Sequence, residues 1–371
     1  MSGQEPANKP TISVAVMTHP QRLSLAHALV NSLKCNANLV VDSQPDGPPS
    51  PLRAAIGAWS RCPDNTTHHM VLQDDIRPSA NFFELAYDAV CRRPESLISL
   101  YANSVSWNGA AARVALLAGY QWITPPAGDY FPTLATIMPC FIAHSFAEYA
   151  RSFADIERDD DLLLARFVSK YGHKTALRIP NLVEHDEHPS ISGHDNHGIR
   201  RSVAFQGERS WSENSRQLAS FFALPALFQR QALIRVPVSP LGDRWHTLTR
   251  VQHLRLVDAS WPSVCDAAEE AILAIPDMPE RMASARRYLR QLYLAGFSLG
   301  WVVATISREQ GSTPIRGIWR DLALRTYVEA GFLWDAARIK WINHVEHLVE
   351  LCSAAVIAGE VAVARKNASG L

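Results

Sequence analysis

Three places in the chain concentrate side chains able to do metal or acid–base chemistry. The first is Met70-Val71-Leu72-Gln73-Asp74-Asp75-Ile76-Arg77-Pro78. Met70, Val71 and Leu72 read as the end of a buried strand, broken at once by Gln73, Asp74 and Asp75, and Pro78 forbids continuation as a central strand. Two carboxylates at the end of an apolar strand are costly to bury unless a cation, a basic side chain or a helix N-terminus faces them. Strand C-termini are also where ligands collect in open α/β sheets. The arrangement points to a metal bound to a phosphorylated ligand. The structural alternatives are a cap on a helix over Asn81–Arg92 or a pair with Arg77.

The second place is Asp159-Asp160-Asp161, directly before an apolar stripe over Leu162–Tyr171 that ends at Gly172. Three adjacent carboxylates repel, which raises at least one pKa and suits a general base. The same run also reads as favourable charge at a helix N-terminus. The third place is the segment Pro180–Asp195, rich in His and Asp. With His197 just beyond it, His185, His188 and His194 read either as metal ligands or as a solvated loop.

These groups need a scaffold. Thr11–Met17 is a β-branched apolar run suited to a central parallel strand. A helix over Leu23–Leu33 and a short strand over Asn38–Val41, closing on Asp42, follow. The next elements are a helix over Leu52–Arg61, a strand over His68–Leu72, a helix over Asn81–Arg92 and a strand over Ser96–Tyr101. Such alternation argues a doubly wound α/β domain. Ser104–Asp129 is mixed in pattern, and Phe131–Ala143, with Pro132 and Pro139, reads as strand and loop. Ser145–Phe153 is helical and Thr175–Ile179 a strand. Beyond about residue 205 the composition shifts to Ala, Leu and Arg. Helices are expected over Phe221–Leu233, Ala267–Ile275, Arg281–Ser307, Ile318–Val345 and His347–Arg365. The expected organisation is a flexible leader over 1–10, an α/β domain over 11–205 and a mainly helical domain over 206–371.

The totals set bounds. A chain of 371 residues is too long for one ordinary core. Lys+Arg and Asp+Glu are both 36, so the basic excess of a general nucleic-acid binder is absent. Six scattered cysteines form no CxxC pair, which argues against a zinc site or disulfide framework and for reduced thiols. The first ten residues lack the apolar core of a signal peptide. The longest apolar runs, Leu292–Ile306 and Cys352–Ala364, are shorter than the ~20 residues of a bilayer span. No transmembrane segment is expected, and the expected location is cytoplasmic. Arg281, Arg286, Arg287 and Arg290 form a basic cluster that reads as a solvated face or as an approach for an anionic partner.

The order of strand, Asp42-type second strand, helix bearing Arg53 and acidic pair after the next strand resembles the GT-A fold of nucleotide-sugar glycosyltransferases. The resemblance is to family 2, with an echo of family 25, and covers about residues 11–200. Met70-Val71-Leu72-Gln73-Asp74-Asp75 is similar to the families' strand end "V-x-x-hydrophobic-L-[DE]-D-D". Asp159–Phe167 with Gly172 resembles an acidic pair followed by "L-x-x-R-hydrophobic…G". Pro180-Asn181-Leu182-Val183-Glu184-His185 resembles a "P-x-L-V-x-H" strand end. Ser190–His194 resembles a loop covering the donor. Gln73 departs from the pattern, standing where those families carry an acid.

The resemblance implies a GT-A (Rossmann-like, mostly parallel) α/β domain that moves a sugar from a nucleoside diphosphate donor to an acceptor hydroxyl. A divalent cation, Mn²⁺ or Mg²⁺, would offset the charge of the departing diphosphate. Asp75 and His185 would be its protein ligands, and a His ligand favours Mn²⁺. Asp74 would meet ribose or metal-bound water, and Asp42 the base or ribose. Thr18, His19 and Arg22 would meet base or phosphate, with Arg53 a second phosphate candidate. Asp160, six residues before Arg166, is the expected base, with Asp159 and Asp161 as alternatives. Trp107, Trp122 and Tyr130 read as an apolar acceptor platform or as core, and Cys140 as a buried apolar residue. Partners would be the nucleotide sugar, an unassigned acceptor and, through the C-terminal helices, a second copy. Two other functions compete. A sugar nucleotidyltransferase would carry a Gly-rich loop after the first strand, where Thr18-His19-Pro20-Gln21-Arg22 has no Gly. An inactive binding or assembly module of the same fold is favoured by Gln73.

Overall fold

The structure, a computed structural model, describes residues 9–189, 191, 200–239, 244–278, 285–332 and 341–368. The leader over 1–10 lies almost wholly outside these residues, as does the loop Ser190–His194 apart from Ile191, and Arg281 of the basic cluster. The chain divides into two compact units: residues 1–101, 130–194 and 206–210, and residues 102–129, 195–205 and 211–371. It is an α/β protein with a large, mostly parallel mixed sheet in its N-terminal half and a helical C-terminal region.

In the first unit, β1 (Ile12–Thr18), β2 (Ala37–Val41) and β3 (His68–Gln73) run parallel, with β1 between the other two. Continuous apolar runs suit strands covered on both faces. A short β4 (Ile76–Pro78) follows β3 at once, and β5 (Leu97–Ser99) comes later. β6 (Trp122–Ile123) belongs to the second unit. β7 (Ala135–Pro139) lies antiparallel between β3 and β5, and β8 (Thr175–Arg178) pairs parallel with β5. The six strands of this unit therefore run β8-β5-β7-β3-β1-β2. β9 (Val183–His185) stands apart and pairs antiparallel with β4.

Helices α1 (Leu23–Ser32), α2 (Pro51–Trp59) and α3 (Phe82–Arg92) fall where the sequence places them. Pro51 sits at the first turn of α2, where its missing N–H costs nothing. The expected mixed stretch contains α4 (Trp107–Leu117), which is buried from Asn108 to Leu117 and belongs to the second unit. The expected strand-and-loop segment Phe131–Ala143 is instead β7 running straight into α5 (Cys140–Arg151). α6 (Asp160–Tyr171) ends on Gly172 with φ +67°, the left-handed conformation that glycine adopts without penalty. Leu52, Ala55 and Trp59 of α2, Ile142, Phe146 and Ala150 of α5, and Leu163, Leu164 and Phe167 of α6 form one core cluster under the sheet.

The expected helix over Phe221–Leu233 is a β-hairpin: β10 (Gln217–Leu218) is followed by β11 (Leu224–Phe228) and β12 (Gln231–Pro237), with β13 (Trp245–Thr247) completing a three-stranded sheet. Pro225 is tolerated because β11 is an edge strand. Gln229 and Arg230, at φ +44° and +62°, make the turn. Long helices follow at Trp261–Ala274, Arg286–Glu309, Ile318–Phe332 and Val345–Ala368. Arg286–Glu309 and Ile342–Lys366 are each long and apolar enough to cross a membrane, with 67% and 39% of the apolar stretch buried inside the protein. Counting only uninterrupted apolar residues, as in the sequence, stops short of this.

Trp122 is fully buried in β6, which fits the core alternative and not the acceptor platform. The expectation of reduced thiols fails. Cys62 and Cys140 form a disulfide with Cα atoms 6.1 Å apart. The end of α2 and the start of α5 converge in space, although the two cysteines are 78 residues apart in sequence. Cys35, Cys91, Cys265 and Cys352 are free.

Candidate active site

Parallel pairing in register is what builds the site. Met17 of β1 stands opposite Gln73 of β3, and Thr18 opposite Val41 of β2. The next residues along therefore emerge together at the carboxyl edge of three adjacent strands. The Thr18 hydroxyl donates to Asp74 Oδ2 at 2.5 Å. The Asp42 amide donates to the Thr18 carbonyl at 2.9 Å.

His185 reaches the same edge through the β4–β9 ribbon, where Ile76 is paired with His185. The Asp186 amide donates to the Asp75 carbonyl at 2.9 Å. These bonds place Nε2 of His185 3.5 Å from Oδ2 of Asp75. Both side chains are buried, and Nδ1 of His185 has no hydrogen-bond partner among the described residues.

The cation facing the acids is Arg22, at the end of the 3₁₀ turn Pro20–Arg22 that follows β1. Its Nη1 donates to Asp75 Oδ2 at 2.9 Å and to Asp74 Oδ1 at 3.3 Å. Its Nη2 donates to the Pro189 carbonyl at 2.6 Å. Of the alternatives weighed for the acid pair, a basic partner is present, and it is Arg22 that forms these bonds. Burial pushes the Asp74 carboxyl above the ordinary carboxylate range, opposed by the Thr18 hydroxyl and assisted by the neighbouring Asp75 charge.

Asp42 is held by a two-pronged pair from Arg53: Nε to Oδ1 at 2.6 Å and Nη2 to Oδ2 at 2.7 Å. The Gln44 amide adds a bond at 3.0 Å. Hydrogen bonding from Arg53 holds the Asp42 carboxyl below its usual range despite desolvation. Arg53 also donates to the carbonyls of Pro48 and Gln44. In this structure Arg53 thus serves Asp42 and the loop after it. His19 caps the 3₁₀ turn, accepting from the Gln21 amide at Nδ1, and its Nε2 lies 3.3 Å from the Pro45 carbonyl.

The acidic run resolves into three different residues. Asp159 occupies the N-cap position of α6. Asp161 accepts from the Leu162 amide at 2.6 Å. Asp160 is the buried one, 5% exposed. Desolvation pushes its carboxyl up to about 6, against hydrogen bonds from Thr133 and nearby backbone amides and with help from the Asp159 charge. The Thr133 hydroxyl in turn lies 3.4 Å from Nε2 of Gln73. A chain of bonds Gln73 to Thr133 to Asp160 therefore links the end of β3 to the start of α6. Gln73, the departure from the acidic pattern, has its own task here as donor to Thr133.

Sequence reasoning missed Thr133, Gln44 and the Pro189 carbonyl. The first is a hydroxyl in a Pro132-Thr133 loop with no motif, and the others act through backbone. Arg166, six residues after Asp160, pairs with Glu157 at the surface. Arg286 and Arg290 pair with Glu269, so this part of the basic cluster is a surface ion-pair group. His194 and His197 lie outside the described residues. No group of three or more His, Cys, Asp or Glu able to hold a metal is found among the described residues. Asp75 and His185, 3.5 Å apart, are two side chains at this edge that could donate to a cation.

Fold and site together define an α/β protein with a cluster of acids, an arginine and a histidine at the carboxyl edge of a mostly parallel sheet. No protein-family model matches the sequence, and no curated protein matches it.

Proposed function

We propose that the chain is a metal-dependent glycosyltransferase of GT-A type, transferring a sugar from a nucleoside diphosphate donor to an acceptor hydroxyl. The observation that carries this reading is the meeting of Asp74, Asp75 and His185 at the carboxyl ends of β1 and β3, where α/β sheets take nucleotides. Asp75 and His185 are the protein residues that would hold the cation. When bound, the cation would offset the negative charge that grows on the departing diphosphate. Asp42 is fixed by Arg53 with its carboxylate ionised, ready to accept from ribose or base hydroxyl and amine groups.

Asp160 is the base in this reading. Its raised pKa, about 6, lies near neutral pH, where proton acceptance is both available and favourable. Thr133 keeps the carboxylate oriented.

The test is thermal unfolding with Mn²⁺ and a panel of nucleoside diphosphates. A ligand at ~100 times its Kd adds ~2.7 kcal/mol to stability. Mn²⁺-dependent protection by one nucleotide supports the reading, and no protection by any of them contradicts it. A second reading is a binding module of the same fold without turnover. The Arg22 pair with both acids favours it, since it supplies a counter-charge without metal. Protection without donor hydrolysis would select that module.

A further inference from the structure

Arg22 contacts the Asp75 oxygen that approaches His185. Oδ2 of Asp75 is 2.9 Å from Arg22 Nη1 and 3.5 Å from His185 Nε2. Asp74 and Asp75 are both buried, and Arg22 is 14% exposed at its side chain. Two carboxylates thus crowd one guanidinium in a poorly solvated place. A guanidinium and a divalent cation sharing one carboxylate oxygen repel, which disfavours holding both there at once.

We propose that Arg22 is the resident counter-cation of Asp74 and Asp75, that it gives up Asp75 when a divalent cation binds, and that the freed guanidinium then clamps the donor's diphosphate. This rests on the glycosyltransferase reading of the same site. Three observations carry it. Arg22 sits on a 3₁₀ turn directly after β1, at the edge where the acids emerge. Among the described residues its contacts divide between the two acids and one backbone carbonyl, Pro189. Its planar fork matches phosphate oxygens as well as it matches carboxylates. By contrast, Arg53 is fixed by two bonds to Asp42 and two to backbone carbonyls, and has no comparable freedom to leave. The exchange makes metal and donor binding mutually supporting: the cation releases the arginine that the diphosphate needs.

The experiment measures free Mn²⁺ by electron paramagnetic resonance while titrating nucleotide-free wild type, Arg22→Gln, Arg22→Lys and Asp75→Asn, each checked for folding by thermal unfolding. Arg22→Gln is expected to bind Mn²⁺ roughly tenfold or more tightly than wild type. Arg22→Lys, which keeps the charge but loses the fork, should shift the same way by less, and it carries the test if Arg22→Gln does not fold. With saturating Mn²⁺, UDP as probe should bind Arg22→Gln more weakly than wild type. Equal Mn²⁺ affinity in wild type and Arg22 variants, with binding lost in Asp75→Asn, would overturn the exchange while leaving the metal site standing. Absence of Mn²⁺ binding in every protein would overturn the exchange and the metal-dependent reading together. Unchanged UDP binding would remove the diphosphate clamp.

Discussion

Oδ2 of Asp75 lies 3.5 Å from Nε2 of His185, and the β4–β9 ribbon fixes that approach by pairing Ile76 with His185. The backbone pairing holds the two residues' main chains together at this edge. Asp75→Asn and His185→Gln should therefore each remove most of the Mn²⁺-dependent protection by nucleoside diphosphate, up to the ~2.7 kcal/mol expected of a ligand at ~100 times its Kd. Differential scanning fluorimetry with and without Mn²⁺ reads this directly. Retained protection in both variants would place the cation elsewhere.

Asp160 is bonded through Thr133 to the end of β3 and carries a carboxyl pushed up to about 6. Asp160→Asn should lower kcat by ~10²–10⁴-fold with donor affinity kept. Thr133→Val removes a hydrogen bond that lowers the Asp160 pKa, so the acid limb of the pH–kcat profile should move to higher pH. Unchanged turnover in Asp160→Asn would exclude it as the base.

The same group makes stability depend on pH. The folded pKa of Asp160 is raised above the ordinary value of 3.8. Its contribution is thus fully present below about pH 4 and lost as pH rises through about 6. A carboxyl that titrates near 6 when folded and near 3.8 when unfolded makes a difference of about 3 kcal/mol across that interval. Urea unfolding at about pH 5 and about pH 7.5, on either side of the folded value, should show wild type losing more stability than Asp160→Asn, by about half that amount, since the rest is already lost between about pH 4 and about pH 5. Asp74, also raised, contributes with the same sign in both proteins, so the difference isolates Asp160.

Asp42 behaves in the opposite sense. Arg53 lowers its pKa, so its contribution is present above the ordinary carboxylate range and lost as pH falls through the folded value. Arg53→Gln leaves a buried carboxylate without its charged donor and should cost about 1–3 kcal/mol near neutral pH. The deficit should shrink in acid, when Asp42 is protonated in the variant. A deficit that does not change with pH would show that Arg53 matters for packing rather than for charge.

Much of this is legible in the sequence, for identifiable reasons. β1 and β3 are continuous apolar runs, and α6 is bracketed by acids and Gly172, so local pattern and tertiary structure agree. α4 is obscured because an almost wholly buried helix has no polar face and hence no helical period. The β11–β12 hairpin reads as helix because Phe221–Leu233 is rich in helix formers, and its turn uses Gln229-Arg230 in place of the usual Asn or Gly. Within the site, the acids, the histidine and Asp160 are readable as residue types. Their partners are not. Arg22 meets Asp74 and Asp75 only once β1 and β3 are in register, and Thr133 meets Asp160 only once β7 is inserted antiparallel beside β3.

The central claim is that Asp75 and His185 hold a cation against the diphosphate of a nucleotide sugar. Its most direct measurement is release of nucleoside diphosphate from a panel of nucleotide sugars, followed with Mn²⁺, with chelator in its place, and with Asp75→Asn. Slow release from one donor, abolished by chelator and by Asp75→Asn, is the expected result. Release that survives both treatments would contradict it, as would a wild-type protein that releases nothing from any donor.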